Sequence, residues 1–298
     1  MTAGNWDDPA GRVAARGTAG LPNVRLSLSN RSENVLLVRE MLTGVAETID
    51  LDSSDLYDIR TAVTEACNNV VLHAYEGREG PLEVDLRASQ EAVEVVVRDE
   101  GIGIRPRIRA AEEGALGIGL PLIQALVHSV EFSEGPRGGT AVRMDFRTPS
   151  RRPLEPFREN GYSAEVLADT AGYPATSTAM TIAPAGLARA VLPRLLSVLA
   201  ARAHFSTDRI SDAQLIADAL AAHAPSSLGA DRLNLIVYVR SRSLELRVGP
   251  LGRGRADRLM VESAVHGVGG VIEKLTDERR TVDLGAAEML ALQLRERA

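Results

Sequence analysis

Four short motifs, in a fixed order, constrain this chain more than any other feature. Thr64 to Tyr75 reads TEACNNVVLHAY, Val97 to Ile104 reads VRDEGIGI, and Gly114 to Leu120 reads GALGIGL. Gly138, Gly139 and Thr140 then precede a run of alternating character. Each motif falls at a particular point of the secondary-structure pattern. In the first, Leu56, Ile59, Val63, Ala66 and Val70 share one arc at about 100° per residue, so the motif rides on an amphipathic helix. The second closes an apolar strand run, Ala92 to Asp99; the third opens a helix at Leu120; the fourth starts the strand Thr140 to Phe146. A chain in which helix, strand end, helix start and strand start carry such motifs in turn is an α/β chain with its loops gathered at one end of a sheet.

Each motif has its own chemistry. Glu65 and Asn69 stand four apart and stack on one helical face, with Ala62 and Leu72 on either side. A carboxylate so placed can take a proton from an attacking hydroxyl. An amide oxygen is a hard ligand suited to Mg²⁺. Taken alone, the spacing equally describes a solvated polar pair. Asp99 ends a strand and is followed by Gly101 and Gly103, which let backbone approach a planar ligand while the carboxylate accepts an amino hydrogen; a simple Asp-Glu-Gly turn has the same letters. Gly117 and Gly119 lead into a helix at Leu120, where exposed N–H groups and the positive end of the helix dipole suit phosphate. Thr140 can reach a base edge with its hydroxyl, or simply follow a hairpin turn.

The rest of the first half fits around these points. Val24 to Ser29 reads as a strand. Glu33 to Ile49 is a helix with Val35, Val38, Met41, Leu42, Val45 and Ile49 on one face. A second helix runs from the caps at Asp52, Ser53 and Ser54 to about Tyr75. Leu82 to Ala88 and Ala92 to Asp99 form a hairpin, and Val130 to Ser133 and Thr140 to Phe146 are strands. Residues 150–177, with Arg151, Arg152, Pro153, Pro156, Gly161, Gly172 and Pro174, have no clear period and read as a linker or domain-bridging segment.

The order of elements then repeats. Ala179 to Ile182 is a strand; Leu187 to Ala203 and Ile210 to His223 are helices; Arg232 to Arg240 and Leu244 to Val248 are a hairpin; the last strand falls at Thr281 to Leu284. LEVDLRASQEAVEVVVRDEGIG in the first half lies beside LNLIVYVRSRSLELRVGPLGRG in the second. The expected layout is a flexible arm over 1–22, a first domain over 23–149, a linker over 150–177 and a duplicate over 178–298.

Composition removes several functions. Hydrophobic residues are 45% and charged residues 25% of 298, which is ordinary for a globular protein and enough for about two domains. A net charge of -6 argues against direct nucleic-acid binding, which draws on clustered Lys and Arg. A single cysteine, Cys67, excludes an intrachain disulfide and a multi-cysteine metal site, and a cytoplasmic setting fits. Residues 1–22 carry no apolar signal core. The apolar stretch Leu187 to Phe205 is broken by Arg189, Pro193, Arg194, Arg202 and His204, so no membrane span is expected.

Together the four motifs, over residues 24–147, resemble the N, G1, G2 and G3 boxes of the Bergerat-fold (GHKL) ATPases, and EACNNVVLHAY with DEGIGI resembles the anti-sigma-factor serine kinases in particular. The stretch between the second and third boxes is short, and no upstream helix supplies a phospho-accepting histidine, which separates the chain from two-component histidine kinases. The resemblance implies a two-layer α/β sandwich, a mixed and mostly antiparallel sheet with helices on one face, duplicated here. It implies ATP and Mg²⁺ as cofactors and transfer of the γ-phosphate to a serine of an anti-anti-sigma (STAS) partner, with sigma-factor binding and a possible homodimer. By position, Glu65 is implied as general base and Asn69 as Mg²⁺ ligand. Asp99 is implied to bind the adenine amino group, with Asn68, Gly101, Gly103, Gly117, Gly119, Leu120 and Thr140 also in the nucleotide site. His73 matches the family pattern, and Arg105, Arg107 and Arg109 fall in its lid. The rival expectation is a docking module that binds ATP without chemistry.

The second half departs from the pattern. Matching LIADALAAH to AVTEACNNV sets Asp218 at Glu65 and Ala222 at Asn69, while matching His223 to His73 sets Leu215 and Ala219 there. Pro250 falls at Asp99, with Gly252 and Gly254 at the two glycines, and only Gly267 to Gly270 remains of the third motif. The expectation is a kept scaffold and a lost site.

Overall fold

A computed structural model describes residues 21–103, 119–152, 154, 177–228, 231–262, 264–265 and 269–297. Alternation builds the first strand: in β1 (Val24–Ser29), Val24, Leu26 and Leu28 are buried on the side of the helices. Helix α1 (Asn34–Ile49) stops at Asp50, whose left-handed backbone (φ 55°) lets its N–H reach back to Ala46 and Glu47. Helix α2 (Ser53–Asn69) follows from an extended Asp52 and continues into a single π turn, Val70–Ala74. Then come β2 (Pro81–Ala88), β3 (Val93–Asp99), α3 (Gly119–Leu126), β4 (Ser129–Glu134) and β5 (Thr140–Phe146), with strand order β1-β2-β3-β5-β4.

The second half contains β6 (Ser177–Ile182), a 3₁₀ turn (Ala185–Leu187), α4 (Ala188–Arg202) and α5 (Thr207–Ser227). After these come β7 (Leu233–Arg240), β8 (Ser243–Gly252), α6 (Arg255–Glu262), the two-residue strands β9 (Ala264–Val265) and β10 (Gly269–Gly270), and α7 (Val271–Leu275). It ends with β11 (Glu278–Asp283) and β12 (Ala287–Arg295). Its strand order, β6-β7-β8-β12-β11, is that of the first half. Edge strands β1 and β6 pair antiparallel, so the halves share one ten-stranded sheet whose ladders among the described residues are all antiparallel. The two related sandwiches expected from the sequence share this sheet, because each half has an open β edge that the other satisfies.

The repeat is exact enough to number. The core-facing residues of α1 (Asn34, Leu37, Val38, Met41, Leu42, Val45, Ala46, Ile49) reappear 154 residues on as Ala188, Val191, Leu192, Leu195, Leu196, Leu199, Ala200 and Ala203. In α2, Ile59, Ala62, Val63, Ala66 and Cys67 reappear at the same shift as Ala213, Ile216, Ala217, Leu220 and Ala221. The hairpin registers match at a shift of 151: Val84 faces Val97 and Leu235 faces Val248, and Ala88 faces Val93 and Val239 faces Leu244.

Two expectations are corrected. The last strand is not Thr281 to Leu284. Thr281 lies in β11, the counterpart of β4, and the counterpart of β5 is β12, whose helix-favouring sequence AEMLALQLR is held extended between β8 and β11. The regular part of the α2 helix ends at Asn69 rather than near Tyr75, the π turn taking the remainder. One core of buried side chains runs through both halves. On the opposite face Arg25 and Arg98 both bond Asp85 at 2.6 Å, and Arg87 bonds Glu94 at 2.7 Å. Among the described residues no helix is long and apolar enough to cross a membrane.

Candidate functional site

Helix α2 organises the site. Its buried arc turns Glu65 and Asn69 to the half-buried flank that meets α3. A β-carbon built at Gly119, the first residue of α3, would lie 3.2 Å from Oε2 of Glu65 and 3.9 Å from Oδ1 of Asn69. The carboxylate, the amide and the start of a helix thus meet at one point, and glycine keeps that point open. Asn68 is half-buried beside Asn69, and Leu120 is exposed at the start of α3. His73 is exposed on the π turn. Gly117, Arg105, Arg107 and Arg109 lie outside the described residues.

The π turn joins this pair to the second cluster. Ala74, its last residue, directs its carbonyl at the loop after β3, where it accepts the N–H of Ile102 at 2.9 Å. A β-carbon on Gly101 would stand 2.1 Å from that oxygen. The sequence suggested that Gly101 admits a ligand; the structure adds that its bare backbone is demanded by the protein itself. Gly103 has φ +72° and lies against the carbonyl of Gly139, itself at φ +72° with its Cβ position 2.2 Å from the carbonyl oxygen of Asp99.

Asp99 sits at the end of β3 with only 6% of its surface exposed. Its Oδ1 accepts the N–H of Gly101 at 2.8 Å and of Thr140 at 3.3 Å. Burial raises its pKa above the ordinary 3.8, while the N–H groups of Gly101 and Thr140 and the Thr140 hydroxyl pull the other way. The structure therefore brings Asp99, Gly101, Gly103 and Thr140 into one cluster, and Glu65, Asn69 and Gly119 into another, with α2 and its π turn between them.

Two residues here escaped the sequence reading. Tyr75 donates to the carbonyl of Pro81 at 2.5 Å and accepts the N–H of Glu100 at 2.8 Å, clamping the backbone next to Asp99. Burial pushes its phenol up to about 12, so it stays protonated as a donor. Arg137 bonds both Glu83 and Glu100 at 2.6 Å, tying the glycine-rich turn to the ends of β2 and β3. A tyrosine closing an amphipathic helix and an arginine in a turn carry no pattern of their own.

The counterpart positions in the second half hold different groups. The 154-residue shift fixed by burial corrects both registers read from sequence: Ala219 stands at Glu65 and His223 at Asn69. Pro250 stands at Asp99 at the hairpin shift of 151, and Gly254 repeats Gly103 with φ +71°. The shift between β5 and β12 puts Glu288 at Thr140, where Oε1 accepts the N–H of Ala256 at 2.5 Å and so caps α6. Helix α6 buries Ala256, Leu259 and Met260 against β8, β12 and α5.

Residues 28–146 match the histidine kinase-like ATPase domain family. An anti-sigma F factor of Thermoanaerobacter is 30% identical over 129 residues, 41% of this chain and 90% of that protein. A serine-protein kinase RsbW of Halalkalibacterium halodurans is 32% identical over 126 residues, 37% of this chain and 75% of that protein. A crystal structure of RsbU and RsbW domains from Mycobacterium tuberculosis aligns at 24% identity with a TM-score of 0.33, over 44% of this chain and 34% of that one. With its helix-borne Glu65 and Asn69 and its buried strand-end Asp99, the chain belongs to the anti-sigma factor and serine-protein kinase branch of the histidine kinase-like ATPases.

Proposed function

We propose that the first half is an Mg²⁺- and ATP-dependent protein serine kinase whose acceptor is a serine of an anti-anti-sigma (STAS) protein, with sigma-factor binding as its coupled activity. The single observation that carries this reading is the convergence of Glu65, Asn69 and Gly119, with Asp99 held nearby on the same helix–loop framework. A nucleotide bound there supplies the phosphoryl group, and its metal neutralises phosphate charge.

The residues fit such a ligand. Asn69 offers a hard amide oxygen, and glycine at 119 leaves the space in front of it clear. Among the described residues no group of three or more His, Cys, Asp or Glu could hold a metal unaided, so Asn69 would hold Mg²⁺ only together with a bound nucleotide, where the ion would neutralise phosphate charge. Glu65 takes the proton of the acceptor hydroxyl at its carboxylate. Asp99 accepts an amino hydrogen from the base. Thr140 supports that carboxylate, and Gly101 and Gly103 shape the loop beside it. Asn68, Gly117 and Leu120 complete the proposed nucleotide contacts. The second half binds no nucleotide: the side chains of Ala219 and Pro250 offer no carboxylate where Glu65 and Asp99 stand in the first half, and α6 buries its apolar face over the ends of β8 and β12.

The test is phosphotransfer to a STAS protein. Glu65→Gln keeps shape and removes the base, so transfer falls roughly 100-fold or more while nucleotide binding persists. Asn69→Ala loses both. Calorimetry gives one nucleotide per chain. Normal transfer by Glu65→Gln would refute the base assignment, whereas a parent chain that binds nucleotide and transfers nothing would favour a docking module that uses ATP only as a structural ligand.

A further inference from the structure

We infer that the second half takes the place of the other subunit in a two-fold dimer of the first half, and that charges at the joint stop the first half from pairing with a second copy of itself.

The joint has the arithmetic of two-fold symmetry. At the 154-residue shift the counterpart of Leu26 is Met180, and these two residues face each other across the β1–β6 ladder. Arg25 faces Thr181 and Ser27 faces Ala179. The counterpart of Arg25 is Ala179 and that of Ser27 is Thr181, so the two pairs exchange under the shift. That is the signature of an isologous contact, in which residue i meets j and j meets i. The helices obey the same axis. Glu33 and Asn34, at the start of α1, meet Arg202 at the end of α4, while Gly44 near the end of α1 approaches Ala190 and Val191 near the start of α4. The helices therefore run antiparallel and cross near Met41 and its counterpart Leu195. A β-carbon on Gly44 would stand 2.5 Å from the carbonyl of Ala190, so the approach is close.

The side chains break the symmetry by charge. The counterpart of Glu40 is Arg194, which reaches Glu40 at 3.5 Å and Glu47 at 2.6 Å across the joint. Arg202 bonds Asn34 at 2.6 Å and Glu33 at 3.1 Å. The α1 side carries Glu40 and Glu47, together with Glu33, which also pairs with Arg31 at 3.7 Å, and the α4 side is basic (Arg194, Arg202). Arg39, beside Glu40 on α1, is exposed. Two first halves in this arrangement would set Glu40 against Glu40 and leave each Glu47 without Arg194; two second halves would set Arg194 against Arg194. Unlike halves attract and like halves repel, which specifies partner choice. The chain therefore carries its partner covalently and works as a monomer.

The experiment uses the full chain and needs no nucleotide. Light scattering from low micromolar to about 100-fold higher concentration gives the monomer mass of 31.9 kDa throughout. Arg194→Glu recreates the like-charge joint and lowers the melting temperature by about 4 °C or more. The triple variant Glu40→Arg, Glu47→Arg, Arg194→Glu restores opposite charges and recovers most of that loss. If Arg194→Glu does not fold, a folded, monomeric triple variant supports the inference by itself. A dimer of the parent chain, an unchanged melt for Arg194→Glu, or a triple variant no more stable than the single one overturns it.

Discussion

Replacing Gly101 by alanine tests whether the backbone of the proposed nucleotide loop rests on the π turn. The new β-carbon would stand 2.1 Å from the oxygen and 2.6 Å from the carbon of the Ala74 carbonyl. Both are backbone atoms, so no rotamer change relieves the overlap, and the loop must lift by roughly 1 Å to reach ordinary contact. Two hydrogen bonds then fail together: Ile102 N–H to Ala74 at 2.9 Å, and Gly101 N–H to Asp99 at 2.8 Å. The first is a neutral bond worth about 0.5–1.5 kcal/mol, and the second, to a carboxylate, about 1.5–3 kcal/mol. Their joint loss lowers the stability of the ligand-free protein by about 2–4 kcal/mol. Because Asp99 loses one of the two N–H groups that steady its carboxylate, nucleotide affinity falls by roughly tenfold or more. Denaturant melts read the first quantity and calorimetric titration with nucleotide the second. Gly77→Ala is the control. Gly77 has φ +82° with nothing within 4 Å of its β-carbon position, so it carries a conformational cost of about 1–2 kcal/mol and no steric one, and leaves affinity unchanged. A Gly101→Ala protein that melts and binds like its parent would refute the argument, as would a Gly77→Ala protein that loses affinity equally.

Three further outcomes follow from the same geometry. The raised pKa of Asp99 means that folding favours its protonated form: that contribution to ligand-free stability is present below the ordinary 3.8 and is lost as pH rises through the folded pKa. Nucleotide affinity has the opposite sign, declining as pH falls through the same window; titrations at a series of pH values should show both trends, and both flatten in Asp99→Asn. Tyr75→Phe leaves the N–H of Glu100 and the carbonyl of Pro81 without their partner, a loss of about 1–3 kcal/mol in a denaturant melt, and an unchanged midpoint would show the clamp to be idle. In the second half, Gly254→Ala meets a left-handed backbone, whereas a β-carbon on Gly252 meets only the flexible side chain of Arg255 at 3.2 Å. Gly254→Ala therefore costs about 1–2 kcal/mol and Gly252→Ala well under half of that; equal costs would contradict the assignment.

Much of the fold was legible because the pattern that builds it is local. Alternation marked β1, β2 and β3, and the 3.6-residue period marked α1 and α2, since burial on one face is what selects those residues. The failures were all tertiary. The segment Ala287–Arg295 consists mainly of strong helix formers, yet it is a strand, because β8 and β11 offer it ladders on both sides and Met289, Leu290, Leu292 and Leu294 a place in the core. The pairing of β1 with β6 was not foreseen, because an open strand edge leaves no mark in sequence; most of the segment 150–177 lies outside the described residues. The register of α5 against α2 was misread because letters were matched, AVTEACNNV to LIADALAAH, where burial decides. The sequence singled out Glu65, Asn69, Asp99 and Thr140, which the structure gathers into two clusters; Tyr75 and Arg137 were not visible, since their contacts depend on which backbone groups lie across the fold.

The comparison between the halves also says which part of a glycine motif carries information about ligands. Gly103 and Gly254 share one left-handed conformation, and both are explained by the turn that leaves β3 or β8. Gly101 is explained by the Ala74 carbonyl. Neither requirement mentions a nucleotide. The left-handed turn still demands glycine at Gly254, whereas Gly252 meets no backbone atom, only the side chain of Arg255 at 3.2 Å. What differs is the set of side chains that would meet a ligand: Glu65 against Ala219, Asn69 against His223, Asp99 against Pro250, Thr140 against Glu288. The last exchange shows how the change is accommodated. In the first half the acid stands at the strand end and is steadied by two backbone N–H groups; in the second the acid stands one strand over and receives the N–H of Ala256, so that α6 begins there and buries Leu259 and Met260 in the core. A carboxylate that could have received a ligand's amino group is committed to a helix end. The two halves thus differ in what their polar groups do at this end of the sheet: in one, Glu65 and Asn69 converge on Gly119, and in the other a carboxylate caps α6.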